Sequence, residues 1–482
     1  MRIAFFPRNL NHLRLYGKLR ETIAKEYPST DVNIVYETSS EISDVDFAYE
    51  EHIESVLRTD VSNVASLEQF LQKYPSFNFN KAILSERELV FFPSYFNYGH
   101  MKYKEICAYT AACFHVMEMF LDSVKPDIVY GELILGLADA ILYEICKVKG
   151  VKYLSVRQSK VGNGIIVCDP YVDLPINHRS KYEAYLAENP DSECFNEARQ
   201  YLDNLKQRIE KPVYMEKTGQ NYRLFPKHKV AEFIRRITQA SENKEKLILK
   251  RRPLLNPVFW HATKLINIVK TKIYGNHWFV DLENIDSPYV IFPLHYEPES
   301  STLVRGAEFS DQLGVIKFIS RHLPLGIILV VKEHGGNHGY RKPEFYQEVS
   351  HLPNVVLVSR DQSPRELIKN SAAIITITGR MGWEALVYGK SVICLGNAFW
   401  STMPGVQRCK QWSDLIEALR SVSKEADTPS ASGVELLAFT AAYIECNHQA
   451  NFVLNSSQLE QEKNIQSLAG LFSQNHFDVL SK

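Results

Sequence analysis

The chain has 482 residues, 45% hydrophobic and 23% charged, with a formal net charge of −1. This is an ordinary globular composition, too long for a single growing core and so expected to form two domains or more, and its near-neutral balance leaves any attraction to nucleic acid or membrane to local charge. The apolar run at 4–6 is too short for a secretory signal, no window reaches the ~18 apolar residues of a membrane span, and the eight scattered cysteines form no CxxC pair, which argues against a disulfide frame or a zinc site.

Strand and helix patterns alternate over the first 170 residues. RIAFFP (2–7) reads as a strand, 15–27 as a helix and DVNIVYE (31–37) as a strand. Apolar residues at three- and four-residue spacing over 103–124 predict a long helix. PDIVYGE (126–132) is a strand, 135–150 a helix ended by Gly150, and KYLSVR (152–157) another strand. Residues 177–284 are charged and poor in buried-strand signals, as expected of helices connecting two lobes. The alternation returns with strands at 289–294, 326–333, 354–359, 372–379 and 391–396, and helices at 314–323, 363–370 and 382–389. Ser363, Pro364 and Glu366 fit an N-cap, a first helical position and a capping-box partner. A final helix is expected within 459–474.

Strands and helices of these lengths imply parallel sheets. The expected fold is α/β, with two Rossmann-like lobes and an interlobe cleft in a GT-B-like plan, which sugar-nucleotide 2-epimerases share. We divide it as 1–176, an acceptor lobe; 177–284, a helical and basic connector; 285–430, a nucleotide-sugar lobe; and 431–482, C-terminal helices. Open parallel sheets bind ligands beyond the carboxyl ends of their strands, so polar strand ends become site candidates.

Five such ends stand out. The strand IILVV runs into Lys332, Glu333 and His334 before Gly335 and Gly336. A cation and an imidazole there suit a phosphate or a ribose hydroxyl, although a solvated strand end would look the same. In TITGRMGWEAL (376–386), Thr378 and Gly379 end a strand, Arg380 adds a charge, Gly382 opens a helix and Glu384 lies on its first turn. A helix start of this kind suits an anion, and tight strand-to-helix packing also explains the glycines. PLHYEPESST (293–302) carries His295, Glu297 and Glu299, as a cleft loop or a polar helix cap. Glu132 ends a strand of the first lobe, and RQSKVGNG (157–164) places cations and glycines after the next one, fit to shape an acceptor site.

PLHYEPESST, FSDQ (309–312), VVKEH, NVVLVSRDQSPRELIKNSAAIITITG and GWEALVYGKSVICLG occur in this order. Over 289–400 the pattern resembles the bacterial capsule polysaccharide biosynthesis proteins, a family that includes retaining β-Kdo glycosyltransferases of GT-B type. The resemblance implies nucleotide contacts from His334, Thr378, Gly379 and Glu384, a CMP-Kdo donor, and catalytic carboxylates from the EPES loop and from the first lobe. This chain departs from the pattern at Gly335, where proline is usual, and at Arg380 and Met381, where small residues are usual.

The expected activity is Kdo transfer to a glycan or glycolipid acceptor in capsule or lipopolysaccharide synthesis. Double displacement needs a nucleophile and an acid/base across the anomeric carbon. Glu132 and Glu299 or Glu297 are the catalytic candidates, and Lys332, His334, Thr378, Gly379, Arg380, Gly382 and Glu384 the nucleotide-binding ones. No metal cluster such as DxD appears in a suitable loop, so neither a metal nor a further cofactor is expected. The alternatives are a non-catalytic scaffold in polysaccharide assembly or export, and an epimerase-like enzyme.

Between Lys244 and Trp278 lie eight Lys/Arg against one acid, Glu245, interleaved with apolar and aromatic residues. Such a belt suits an anionic membrane surface or, equally, a connector with a solvated basic face. No nucleic-acid module is readable. The expected location is cytoplasmic, peripheral to the inner membrane.

Overall fold

The structure is a computed structural model that describes residues 1–39, 45–59, 65–86, 102–188, 193–207, 256–297, 299–337, 339–422, 432–453 and 459–473. The basic residues at 244–252 therefore lie outside the described residues.

Two six-stranded sheets organise the chain. The first contains β1 (Arg2–Phe6), β2 (Asp31–Tyr36), β3 (Phe47–Ala48), β4 (Ile128–Gly131), β5 (Lys152–Gln158) and β6 (Ile165–Cys168), in the order β3-β2-β1-β4-β5-β6. Only β6 runs antiparallel. The second contains β7 (Tyr289–Pro293), β8 (Ile328–Lys332), β9 (Val355–Val358), β10 (Ala373–Thr376), β11 (Ser391–Cys394) and β12 (Val406–Arg408), ordered β12-β11-β10-β7-β8-β9 and wholly parallel. Each sheet thus has the doubly wound order 3-2-1-4-5-6. These are two Rossmann-like lobes, as the alternation of elements implied.

The central strands are continuous apolar runs because helices cover both faces. In β1, Ile3 and Phe5 enter one core while Ala4 and Phe6 enter another. In β7, Tyr289 and Ile291 face one core and Val290 and Phe292 the opposite one. The strand order also fixes where each chain reversal occurs. The switch points lie between β1 and β4 in the first lobe and between β7 and β10 in the second. Parallel register pairs Phe6 with Gly131, and Pro293 with Lys332. The segments that follow these residues are therefore brought side by side.

Helix ends differ modestly from the periodicity. The helix expected over 15–27 runs Leu10–Glu26, capped by the Asn9 side chain accepting from the His12 N–H. Ser363 does stand at the N-cap of Pro364–Asn370, but its hydroxyl makes no capping bond. The helices His178–Glu188 and Glu193–Gln207 pack on Gly433–Glu445, and Phe195, Ala198 and Leu202 join Phe439 and Ala442 in a core with β7. The end of the described chain crosses back to the first lobe. There the helix Glu462–Leu471 lies on Leu10–Glu26, and Phe472 meets Phe5 edge-on at 4.9 Å.

The lobes touch directly. Val304 of the second lobe sits in the core of the first. Arg305 pairs with Asp173 at 2.6 Å, and Lys81 with Glu308 at 3.3 Å.

Candidate active site

At the first lobe's switch point, Glu132 follows β4 and meets the turn after β1. Its Oε1 accepts from the Arg8 N–H at 3.0 Å, Asn9 Nδ2 at 2.9 Å and His12 Nδ1 at 2.8 Å. None of these three bonds uses Oε2. Burial pushes the carboxyl up, but the His12 hydrogen bond and charge, with Arg8, hold it below the usual range. His12 is itself fixed by stacking on Phe452 at 4.1 Å. Glu132 is thus an ionised carboxylate with one oxygen anchored.

Behind it, Arg8 is the cation of a buried acidic cluster. Its guanidinium donates to the Tyr49 hydroxyl at 2.6 Å and lies 3.5 Å from Asp139. Burial raises Asp139 to about 6, against the pull of Arg8. Glu50 accepts from the Tyr109 hydroxyl at 2.6 Å, and burial raises it to about 7. An acid raised in the folded state stabilises below its unfolded value and loses that contribution as pH rises through the folded one. For Glu50 the window runs from 4.5 to about 7. Chemical denaturation between pH 4.5 and 7.5 is expected to show stability falling with pH less steeply in Glu50→Gln than in the parent. Equal slopes would remove Glu50 as the cause.

At the second lobe's switch point, the loop after β7 and the end of β10 are joined through His295. Its Nε2 accepts from the Thr378 N–H at 3.1 Å. A backbone N–H only donates, so the ring proton sits on Nδ1, where it is buried and has no partner among the described residues. Burial, with the positive fields of His334, Arg305 and Arg341, lowers this histidine to about 3, and the ring is neutral. Gln312 clamps the backbone of His295 from below, accepting from its N–H at 2.6 Å.

The side chains of the KEH strand end diverge. Lys332 turns inward, and its Nζ donates to the carbonyls of Glu333, Ser359 and Arg360 at 3.2, 3.4 and 3.0 Å. Glu333 is buried. It accepts from the His334 N–H at 2.5 Å, Arg341 Nε at 3.1 Å and the Tyr346 hydroxyl at 2.7 Å. Arg341 also binds Glu297 at 3.1 Å and the His295 carbonyl at 2.8 Å. His334 stands beside the loop, its Nδ1 accepting from the Gly336 N–H at 3.0 Å. Burial lowers it, and Glu299 opposes that shift. Glu299 itself accepts from the Ser301 hydroxyl at 2.8 Å.

At the end of β10, the Gly379 N–H donates to Thr376 Oγ1 at 3.1 Å, and the Gly382 N–H to the Gly379 carbonyl at 3.0 Å. A Cβ on Gly382 would fall 2.4 Å from the Trp400 ring, so packing requires this glycine. Arg380 and Glu384 pair along the helix Arg380–Val387 at 3.4 Å.

Thr378 and Arg380 open onto a pocket between the lobes, lined also by Arg305, Trp383 and Trp400 and, from the first lobe, Lys160 and Asp173. Asp173 is almost fully buried and holds Arg157 at 3.0 Å and Arg305 at 2.6 Å. Burial pushes its carboxyl up, but Arg157, Arg305 and Lys160 hold it well below the carboxylate range. Burial lowers Lys160 to about 8, with Asp173 opposing and Arg157, Arg305 and Arg380 adding to the fall. Four cations thus meet at two carboxylates, Asp173 and Glu384. The Trp383 Nε1–H and Arg305 Nε–H are buried there without a hydrogen-bond partner among the described residues.

Residues 261–447 match the family model described as "Capsule polysaccharide biosynthesis protein". The resemblance read from 289–400 is therefore found again by this family model, over a stretch that contains it. A comparison with curated proteins returns no match. Among solved structures, similarity is found to Thermosulfurimonas dismutans KpsC, beta Kdo 2,7 transferase, at 13% identity over 98% of this chain and 99% of that one, with a TM-score of 0.33. The beta Kdo 2,4 transferase of the same organism's KpsC pairs at 16% identity over 78% and 87%, TM-score 0.30. The UDP-GlcNAc 2-epimerase from Methanocaldococcus jannaschii pairs at 12% over 91% and 98%, TM-score 0.25. At such scores none of the three bears on what this chain binds.

Apart from Lys332, which serves backbone carbonyls, and Glu297, held by Arg341, the predicted residues fall into three groups. Thr378 and Arg380 face the interlobe pocket, with Gly379, Gly382 and Glu384 on the same helix start. His334 and Glu299 neighbour each other at the end of β8, and Glu132 stands alone in the first lobe. No hydrogen bond or ion pair joins Glu132 to Glu297 or Glu299 among the described residues. Sequence reading did not single out Asp173, Arg305 or Arg341. Asp173 carried one faint signal, its place in the acidic DPYVDLP loop after a strand.

Proposed function

We propose that the protein is a glycosyltransferase of bacterial surface polysaccharide synthesis, taking an acidic sugar, Kdo, from CMP-Kdo. It transfers that sugar with retention to a glycan or lipid-linked acceptor. The reading rests on the interlobe pocket, where Lys160, Arg305 and Arg380 face a single lining carboxylate, Asp173, at the carboxyl end of a doubly wound sheet. A donor bearing both a phosphate and a sugar carboxylate supplies the missing negative charge. The family match over 261–447 supports the same pathway. Glu132 acts as nucleophile in this scheme and Glu299 as acid/base, with Glu297 held instead by Arg341. The reaction needs no cofactor beyond the donor. It takes place on the cytoplasmic side of the inner membrane, with the enzyme peripheral to it.

Calorimetric titration with CMP, UDP and GDP tests the donor class. CMP is expected to bind at least about tenfold more tightly than the other two, a difference of about 1.4 kcal/mol. Preference for UDP would favour an epimerase-like enzyme, and binding of none would favour a scaffold role.

A further inference from the structure

The helix Asn256–Trp278 has an unusual outer face. Its inner side is conventional. Asn267 is buried and donates to the Gly339 carbonyl at 3.1 Å, Lys264 lies 4.0 Å over the Tyr340 ring, and Trp278 is 5.9 Å from Tyr346. A surface helix ordinarily turns polar residues outward from such a contact. Here the side opposite Asn267 and Lys264 carries Ile266, Val269 and Ile273, which are 54%, 54% and 62% exposed. Their spacing of three and four residues makes one continuous ridge. Leu265 widens it, at 36% exposed.

Charge borders this ridge. Lys270 and Lys272 flank it, and the helix contains no Asp or Glu. Lys270 pairs with Glu344 of the helix Pro343–Ser350 at 3.4 Å. Immediately upstream the sequence adds Lys244, Lys246, Lys250, Arg251 and Arg252. No helix among the described residues is long and apolar enough to cross a membrane.

We infer that the Ile266–Val269–Ile273 ridge seats the protein on an anionic phospholipid surface, with its apolar side chains at the acyl boundary and its lysines among the headgroups. Charge decides this occupant over the others. A second copy of the chain, packed symmetrically on the same ridge, would bring Lys270 and Lys272 against their own counterparts. A nucleic acid would meet isoleucine and valine at the outermost position, where phosphates need donors. The inference specifies the peripheral attachment in the proposed function, but it does not depend on the transfer chemistry.

Flotation of the full chain tests it, using vesicles of phosphatidylcholine alone and vesicles with one third phosphatidylglycerol, at about 0.05 and 0.5 M salt. The parent is expected to float with the anionic vesicles only, and about tenfold less at high salt. The triple variant Ile266→Ser, Val269→Ser, Ile273→Ser is expected to stay unbound at both salts with an unchanged melting temperature. The pair Lys270→Gln and Lys272→Gln is expected to lose binding partially, with most of its salt dependence gone. The inference is overturned if the parent ignores anionic vesicles. It is overturned equally if the triple-serine variant floats as the parent does, including the case where that variant only turns a dimer into a monomer by light scattering.

Discussion

Arg341→Ala is expected to lower the stability of the second lobe by about 3–5 kcal/mol. Arg341 and Glu333 are each 4% exposed, and one guanidinium spans Glu333, Glu297 and the His295 carbonyl. Removing it leaves Glu333 buried with its charge uncompensated, and that cost exceeds what the pair contributes while intact. The Tyr346 hydroxyl and the His334 N–H remain as donors to Glu333, so the lobe is expected to fold, but to melt on the order of 10 °C lower. Arg341→Lys is expected to fall between, because an ammonium cannot bridge two carboxylates in the planar fork geometry. The same change frees the segment carrying His295 and Glu297, so nucleotide affinity is expected to fall along with stability. Thermal denaturation with and without CMP measures both. A loss under about 1 kcal/mol would mean that the network is solvated and does not hold the loop.

The sequence pattern made the lobes legible because buried parallel strands are continuous apolar runs that end abruptly at polar residues. The same abruptness pointed to Thr378, Glu132 and the KEH end. It did not reveal what each side chain does there. Lys332, Glu333 and His334 follow one another in the chain, yet only His334 stands beside the loop, while Lys332 serves backbone carbonyls and Glu333 anchors Arg341. Nor did it reveal pairs assembled across the fold. Asp173 and Arg305 lie in different lobes, 132 positions apart, and no periodicity or motif links residues so distant. The glycine at 382 was ambiguous in the sequence, and the Trp400 ring against it gives a packing reason for it. The helix Asn256–Trp278 was legible as basic and aromatic, but which residues faced outward needed the neighbouring helix to be seen.

Glu132→Gln is expected to reduce sugar transfer by at least about 10³-fold while leaving CMP affinity within about threefold of the parent. The geometry separates the two effects. Oε1 is tied to Arg8, Asn9 and His12, and an amide oxygen can keep most of those bonds. What the amide lacks is charge, and a glycosyl–enzyme intermediate requires an ionised carboxylate. In that scheme His12 is a positioning residue, since its hydrogen bond and charge hold the Glu132 carboxyl down. Its replacement by glutamine is expected to move the acidic limb of the transfer profile upward, because the lost hydrogen bond and charge no longer hold Glu132 down. A carboxylate that merely staples β4 to the turn after β1 would behave differently. Glu132→Gln would then lower the melting temperature and leave transfer intact, and His12→Gln would leave the acidic limb in place. Glu299→Gln completes the comparison. As acid/base it is expected to cost about 10²–10⁴-fold, less than the nucleophile, because the acceptor hydroxyl loses the group that takes its proton. If both glutamine variants transfer sugar at the parental rate, the two carboxylates are not the catalytic pair, and the reacting acid must be sought around Asp173.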